Sequence, residues 1–215
     1  MTATIVGATG LIGNYLLEQL LDDPYYDTVR ILVRRPIEFS HTKLEKKLVD
    51  FNDNDSLLIA ISNSDVIFCA VGTTNKKVKG DKEAYRKIDL EIPSKLSRLC
   101  KLASCETFIV VSSMGASTTS YNFYAKLKGE MEAEVKKSGV NTIHIMRPSM
   151  LLGDRKESRP GEFIGKKLMT LFSFLIPENY KAIHGKQVAK AMVHFSKQIK
   201  EGVFIHDNNE IHHIS

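Results

Sequence analysis

Cysteine is scarce in this chain of 215 residues: there are three, Cys69, Cys100 and Cys105. An odd, widely spaced set supplies no disulfide framework, which points to a reducing compartment, and a cytoplasmic location is expected. Read singly, these cysteines are small buried hydrophobes rather than redox groups. Long apolar runs are missing too. The longest, Leu168 to Ile176, is broken by Thr170 and Ser173 and falls far short of the roughly 20 residues a membrane span needs. No basic segment precedes the apolar start Thr2-Ala3-Thr4-Ile5-Val6, so no cleaved secretory signal is expected. Nor does charge of one sign accumulate. The 30 Lys and Arg stand against 25 Asp and Glu, a net charge of +5, with the lysines scattered in pairs. No basic stripe with interleaved aromatics exists, which argues against a nucleic-acid partner. With 43% hydrophobic and 26% charged residues, disorder is excluded for most of the chain.

What the chain does have is alternation. Apolar runs at Thr2 to Val6, Val29 to Val33, Lys47 to Asp50, Asp65 to Val71, Thr107 to Val111, Thr142 to Met146 and Gly202 to Ile205 read as strands. Between them, helical spacing covers Leu11 to Leu21, Lys82 to Cys105, Tyr124 to Lys137 and Gln187 to Lys200, with a kink expected at Pro93. Continuous β-branched strands separated by helices predict a doubly wound parallel α/β sheet, Rossmann-like, covered on both faces. One domain, residues 1–215, is expected. Gly153 to Gly165 shifts in composition and opens a small substrate-side annex, residues 149–183. The partly amphipathic segment Phe163 to Ile176 within it suits a pocket cover or an oligomer contact better than membrane docking; a homodimer is left open.

Gly7-Ala8-Thr9-Gly10-Leu11-Ile12-Gly13 lies between the first strand and the first helix, the position in which a glycine pattern signals a dinucleotide. Gly7 allows the turn, Gly10 the approach of a pyrophosphate and Gly13 close helix packing, while the helix N-terminus offers N–H groups to the phosphates. Thr9, Leu11 and Ile12 are counted with them as cofactor-binding residues. The second strand ends in Arg34-Arg35, where an NAD site would place an Asp or Glu. Two guanidinium groups suit a 2′-phosphate, so NADPH is expected over NADH, with the choice between Arg34 and Arg35 open. Asp50 is a candidate for the adenine edge. Ala70, Val71 and Gly72 are placed beside the cofactor ribose, although Gly72 also reads as a plain turn residue.

Tyr124 and Lys128 form Tyr-x-x-x-Lys near a helix start, so both side chains share one face. A free phenol is a poor acid–base group near neutral pH, and an ammonium beside it favours the phenolate. The tyrosine can then exchange a proton with a carbinol oxygen. Ser112-Ser113 ends the fifth strand, on the ligand side of such a sheet; Ser113, then Ser112, is the candidate donor to a carbonyl. His206-Asp207 and His212-His213 lack metal-site spacing and read as edge strand and tail.

Taken together, these pieces resemble the short-chain dehydrogenase/reductase superfamily in its extended or atypical branch, over almost the whole chain. The stretches that carry the resemblance run from Phe68 to Thr74, Ser112 to Ala116 and Tyr124 to Glu130. Arg147-Pro148 carries it further, followed by Leu151-Leu152-Gly153-Asp154-Arg155 and Glu157 to Glu162. The resemblance implies NADPH at Gly7, Gly10, Gly13 and Arg34, Tyr124 as proton donor, Lys128 on the ribose and a serine beside them. It also implies that Arg147 and Pro148 close over the nicotinamide end. A small-molecule carbonyl or alcohol is the implied substrate of an NADPH-dependent oxidoreductase. Two alternatives remain: an NADPH-binding regulatory protein acting through partners, and an NAD(P)-dependent epimerase. Typical extended members carry a larger substrate domain than residues 149–183 could form, which leaves little to hold a sugar nucleotide.

Overall fold

In chain order the elements are β1 (Thr2–Val6), α1 (Leu11–Asp22), β2 (Thr28–Val33), β3 (Leu44–Leu48), α2 (Asn54–Ile61), β4 (Val66–Cys69), α3 (Lys82–Arg86), a π turn (Lys87–Glu91), α4 (Ile92–Leu102), β5 (Thr107–Val111), α5 (Phe123–Lys136), β6 (Thr142–Met146), β7 (Leu151–Leu152), β8 (Ile183–His184), α6 (Gly185–Ser196), β9 (Gly202–His206) and α7 (Asn208–His213). They come from a computed structural model that describes residues 1–74, 77–153, 180–198 and 200–214. The cores of β1, β4, β5 and β6 are buried, mostly apolar runs, as strands covered on both faces require. They lie at the centre of a seven-stranded sheet, ordered β3-β2-β1-β4-β5-β6-β9, in which every pairing is parallel. The doubly wound α/β fold expected from the alternation is therefore the observed one.

Each face of the sheet has its own core. Leu16, Leu20, Val188 and Met192 cover one face from α1 and α6, together with Ile5, Ile31, Ile109 and Met146. Leu57, Leu96, Leu127 and Met131 cover the other from α2, α4 and α5, over Ile67, Phe68's neighbour Cys69, Phe108 and Ile143. Because all strands run the same way, their carboxyl ends share one edge. Every loop with a candidate residue leaves from that edge.

Three expectations are corrected by the structure, and one helix is added. The third strand is Leu44–Leu48 rather than Lys47 to Asp50. It is an edge strand, paired from Val29↔Leu44 to Val33↔Leu48, and its exposed Lys46 and Lys47 hide it from a search for apolar runs. The helix expected over Lys82 to Cys105 is three pieces. The π turn precedes Pro93, which sits in the first turn of α4 where its missing N–H costs little, and Ser104 at φ 55° closes the end. Helix α2 was not anticipated, although Asp53 caps it by accepting from Asp55 and Ser56 N–H. The C-terminal tail is helix α7, capped by Asp207. Much of the annex, including Phe163 to Ile176, lies outside the described residues. Its two ends meet as the parallel pair β7–β8, clasped by Asn208, which accepts from Ser149 N at 2.9 Å and donates to Lys181 O at 2.9 Å.

A buried relay joins the far edge of the sheet to α7. His206 Nδ1 donates to Glu210 at 2.8 Å, so its Nε2 accepts from His144 Nδ1 at 2.9 Å. His144 Nε2 is then a buried lone pair with no partner among the described residues. Burial, and then the neighbouring His206, push the His144 pKa down to about 4. Stability held above the unfolded pKa near 6.5 is thus lost as pH falls toward 4, by roughly 3 kcal/mol for this group. Melting temperature followed from pH 7 to pH 4 should fall, and His144→Phe should remove much of that slope. An unchanged slope would assign the acid loss to carboxylates instead.

Candidate active site

The first loop is built by backbone contact. Gly7 has φ +96°, and a Cβ there would lie 2.7 Å from Ala70 O at the exit of β4. A Cβ on Gly13 would lie 2.0 Å from Gly7 O, so only glycine lets α1 sit this close to the turn. Gly10 starts α1 with no side-chain cap, and no acidic residue occupies the first turn. N–H groups and helix dipole there are thus left for an anion, which is what a pyrophosphate needs. Thr9 and Gly10 are exposed. Ile12 is in the core and Leu11 packs under Gly153 and Gly185, so these two can offer a ligand only backbone.

Arg34 and Arg35 are both exposed just beyond β2. Asp50 stands beside them past the end of β3, where its carboxylate accepts from Asn52 N at 2.9 Å and Asn52 Nδ2 at 3.0 Å. Ala70 continues the β1 pairing through its N–H to Val6 O. Val71 and Gly72 follow at the edge, and a Cβ on Gly72 would make an ordinary 3.5 Å contact with Asp89 Oδ1.

Tyr124 and Lys128 meet on α5, which Asn122 caps by accepting from Ala125 N. Tyr124 is 37% exposed, its ring edge-on to Tyr85, with Lys128 Nζ 5.9 Å from the ring centroid. Lys128 itself is buried. Its ammonium is 3.0 Å from Asp89 Oδ1 and donates to Val111 O at 3.4 Å. Burial works against this charge, but Tyr124 and Asp89 outweigh it and hold the pKa above the usual lysine range. Lys128 is therefore a fixed cation at any neutral pH. Asp89 also accepts from Thr73 N at 2.8 Å, and Tyr85 donates to Thr73 O at 3.1 Å, so one carboxylate joins the β4 exit loop to α5. Sequence reasoning missed Asp89. The only available signal was an acidic residue amid helical spacing ahead of a proline; the π turn aims it inward.

The two serines part company. Ser112 is buried, and its Oγ donates to Glu132 Oε1 at 2.6 Å. Ser113 is half-buried, and among the described residues its Oγ donates to Met114 O at 3.3 Å. Ser112 is thus engaged toward α5, and Ser113, which was ranked ahead of it from sequence, is the less engaged of the two. Arg147 is engaged by the same carboxylate. Its guanidinium grips Glu132 in a fork at 2.9 and 2.6 Å, which raises its pKa further. Pro148 is buried, and its carbonyl accepts from Met114 N at 2.9 Å. Glu132 was not singled out from sequence either.

These residues fit a dinucleotide along the carboxyl edge, and comparison with known proteins agrees. Residues 7–197 match the NAD(P)H-binding domain family. The chain belongs to that NAD(P)H-binding family. Among its relatives is Protein HTATIP2 of Rattus norvegicus, 34% identical over 166 residues, 76% of this chain and 68% of the relative. Another is Protein FMP52, mitochondrial, of Saccharomyces cerevisiae, 30% identical over 91% of this chain and 87% of the relative. Solved structures share the fold. MoeE5 in complex with UDP-glucose and NAD superposes with a TM-score of 0.73 at 16% identity, covering 98% of this chain and 79% of that one. UDP-N-acetylglucosamine 4-epimerase from Bacillus cereus gives 0.71 at 18% identity, covering 96% and 75%. The expected cytoplasmic location is overturned by the fungal relatives, which are mitochondrial by name. Few disulfide-ready cysteines separate oxidising from reducing compartments, not one reducing compartment from another. No helix among the described residues is long and apolar enough to cross a membrane.

Proposed function

We propose that this NAD(P)H-binding protein is an NADPH-dependent oxidoreductase of the short-chain dehydrogenase/reductase type, acting on a carbonyl or alcohol carbon of a small molecule. The observation that carries the reading is the part-exposed Tyr124 phenol with a permanently charged Lys128 fixed behind it by Asp89 and Val111 O. When bound, the nicotinamide supplies or takes up the hydride. In the reducing direction Tyr124 Oη gives its proton to the carbonyl oxygen, and Ser113 Oγ donates a hydrogen bond to the same oxygen. Lys128 stabilises the phenolate that remains. The uncapped start of α1 holds the pyrophosphate, and Gly7 and Gly13 keep the turn tight enough for it. Arg34, with Arg35 beside it, pairs with the 2′-phosphate.

Titration calorimetry with NADPH and NADH at fixed salt tests the cofactor half of this reading. NADPH should bind in the micromolar range and NADH much more weakly. Arg34→Ala should weaken NADPH about tenfold or more, the worth of a charge-assisted hydrogen bond, and leave NADH nearly unchanged. Equal losses for both would remove the 2′-phosphate argument. No binding of either would sink the enzyme reading and favour a protein that works through partners.

A further inference from the structure

The polar stripe of α5 does not end at Lys128. Tyr124, Lys128 and Glu132 follow at intervals of four and line one side of the helix. Glu132 is a carboxylate with 2% of its side chain exposed. A charge so placed survives only when its oxygens are fully engaged. Oε1 accepts from Ser112 Oγ at 2.6 Å and Arg147 Nε at 2.9 Å, Oε2 accepts from Arg147 Nη2 at 2.6 Å, and Lys136 Nζ lies 3.8 Å away. The partners are not loop residues of convenience. Ser112 follows β5 and Arg147 follows β6, and their own N–H groups extend the sheet, to Met146 O at 2.7 Å and His206 O at 2.8 Å. One carboxylate therefore ties a single point of α5 to the carboxyl ends of two neighbouring strands.

We propose that Glu132 is the positioning residue of this site. Through Ser112 and Arg147 it sets the rotation and height of α5 on the sheet, and so the place of Tyr124 and Lys128 relative to Ser113. A helix is stiff over two turns, so a pin at Glu132 is felt at Tyr124. Because Ser112 is held by the same carboxylate, the backbone that presents Ser113 is pinned with it. Misplacement of a proton-transfer group by about 1 Å can cost a hundredfold in rate, which is what such a pin guards against. The proposal rests on the reading of Tyr124 as the proton-transfer group.

The test combines NADPH calorimetry, reduction of phenanthrenequinone by NADPH, and fluorine NMR of protein carrying fluorotyrosine. The Tyr124 signal is assigned by its loss in Tyr124→Phe. Glu132→Gln should leave NADPH stoichiometry and affinity within about twofold, lower kcat per binding site about tenfold or more, and shift or split the Tyr124 signal. Ser112→Ala, gentler on folding, should act in the same direction by a smaller factor. If activity falls only in proportion to the binding sites lost and the Tyr124 signal is unmoved, Glu132 merely stabilises and the proposal is overturned. If the unmodified protein reduces no quinone, or Tyr124→Phe reduces it equally fast, the oxidoreductase reading fails separately. The Tyr124 signal in Glu132→Gln then still decides whether the carboxylate sets that side chain.

Discussion

Tyr124→Phe should lower carbonyl turnover by about two to four orders of magnitude and leave NADPH affinity within about twofold. The change removes one oxygen from a ring that is 37% exposed and keeps its edge-on contact with Tyr85, so folding should not suffer. The size of the loss follows from what disappears. Ser113 can still polarise a carbonyl, but an aliphatic hydroxyl is a far weaker acid than a phenol and does not replace the proton donor. Lys128 cannot substitute, because its ammonium is held by Asp89 and Val111 O and its pKa is raised, so it does not surrender a proton near neutral pH. Steady-state reduction of phenanthrenequinone, with NADPH binding measured on the same preparations, separates a lost proton donor from a lost cofactor site. Turnover unchanged in the variant would remove Tyr124 from the chemistry.

Lys128→Met should be strongly destabilising. It leaves Asp89 with 1% of its side chain exposed and no counter-ion. Stranding one partner of a buried pair typically costs about 3–5 kcal/mol. For a chain of this size that is a fall in melting temperature of roughly 10 °C. Adding Asp89→Asn should recover a large part of the loss, because a neutral amide can still accept from Thr73 N while needing no cation. The pair's contribution has a defined pH window. A lysine pKa raised, as here, by Tyr124 and then Asp89 stabilises the fold fully below the unfolded value and loses that effect only as pH rises through the folded one. The stability gap between wild type and Lys128→Met should therefore hold across neutral pH. Additive losses in the double variant would mean that Asp89 and Lys128 are not energetically coupled.

The parts of the fold legible in sequence were those decided by short-range pattern. Val66–Cys69, Thr107–Val111 and Thr142–Met146 are buried on both faces, so their composition alone declares them strands. Leu44–Leu48 is an edge strand wearing lysines, and its identity comes from pairing with β2. The glycine turn was legible because steric exclusion is local: Gly7 in the loop and Gly13 in the first turn of α1 are close in the chain, and either would clash if it carried a side chain. Asp89 and Glu132 were not legible. Each is an ordinary acidic residue at helical spacing, and its partners are far along the chain: Thr73 and Lys128 for one, Ser112 and Arg147 for the other. Ser112 was singled out by its position at a strand end and Arg147 by resemblance, and neither signal records the carboxylate that bonds to both.

By itself the sequence determined the doubly wound α/β order, the dinucleotide turn before α1 and the four-residue spacing of Tyr124 and Lys128, because each follows from neighbours in the chain. Tertiary structure alone decided which charges are buried and who neutralises them. That choice depends on packing α5 over the ends of β5 and β6 and on a π turn that aims Asp89 inward. A buried charge takes its partner from whatever the fold brings within about 3 Å, and sequence distance carries no record of that.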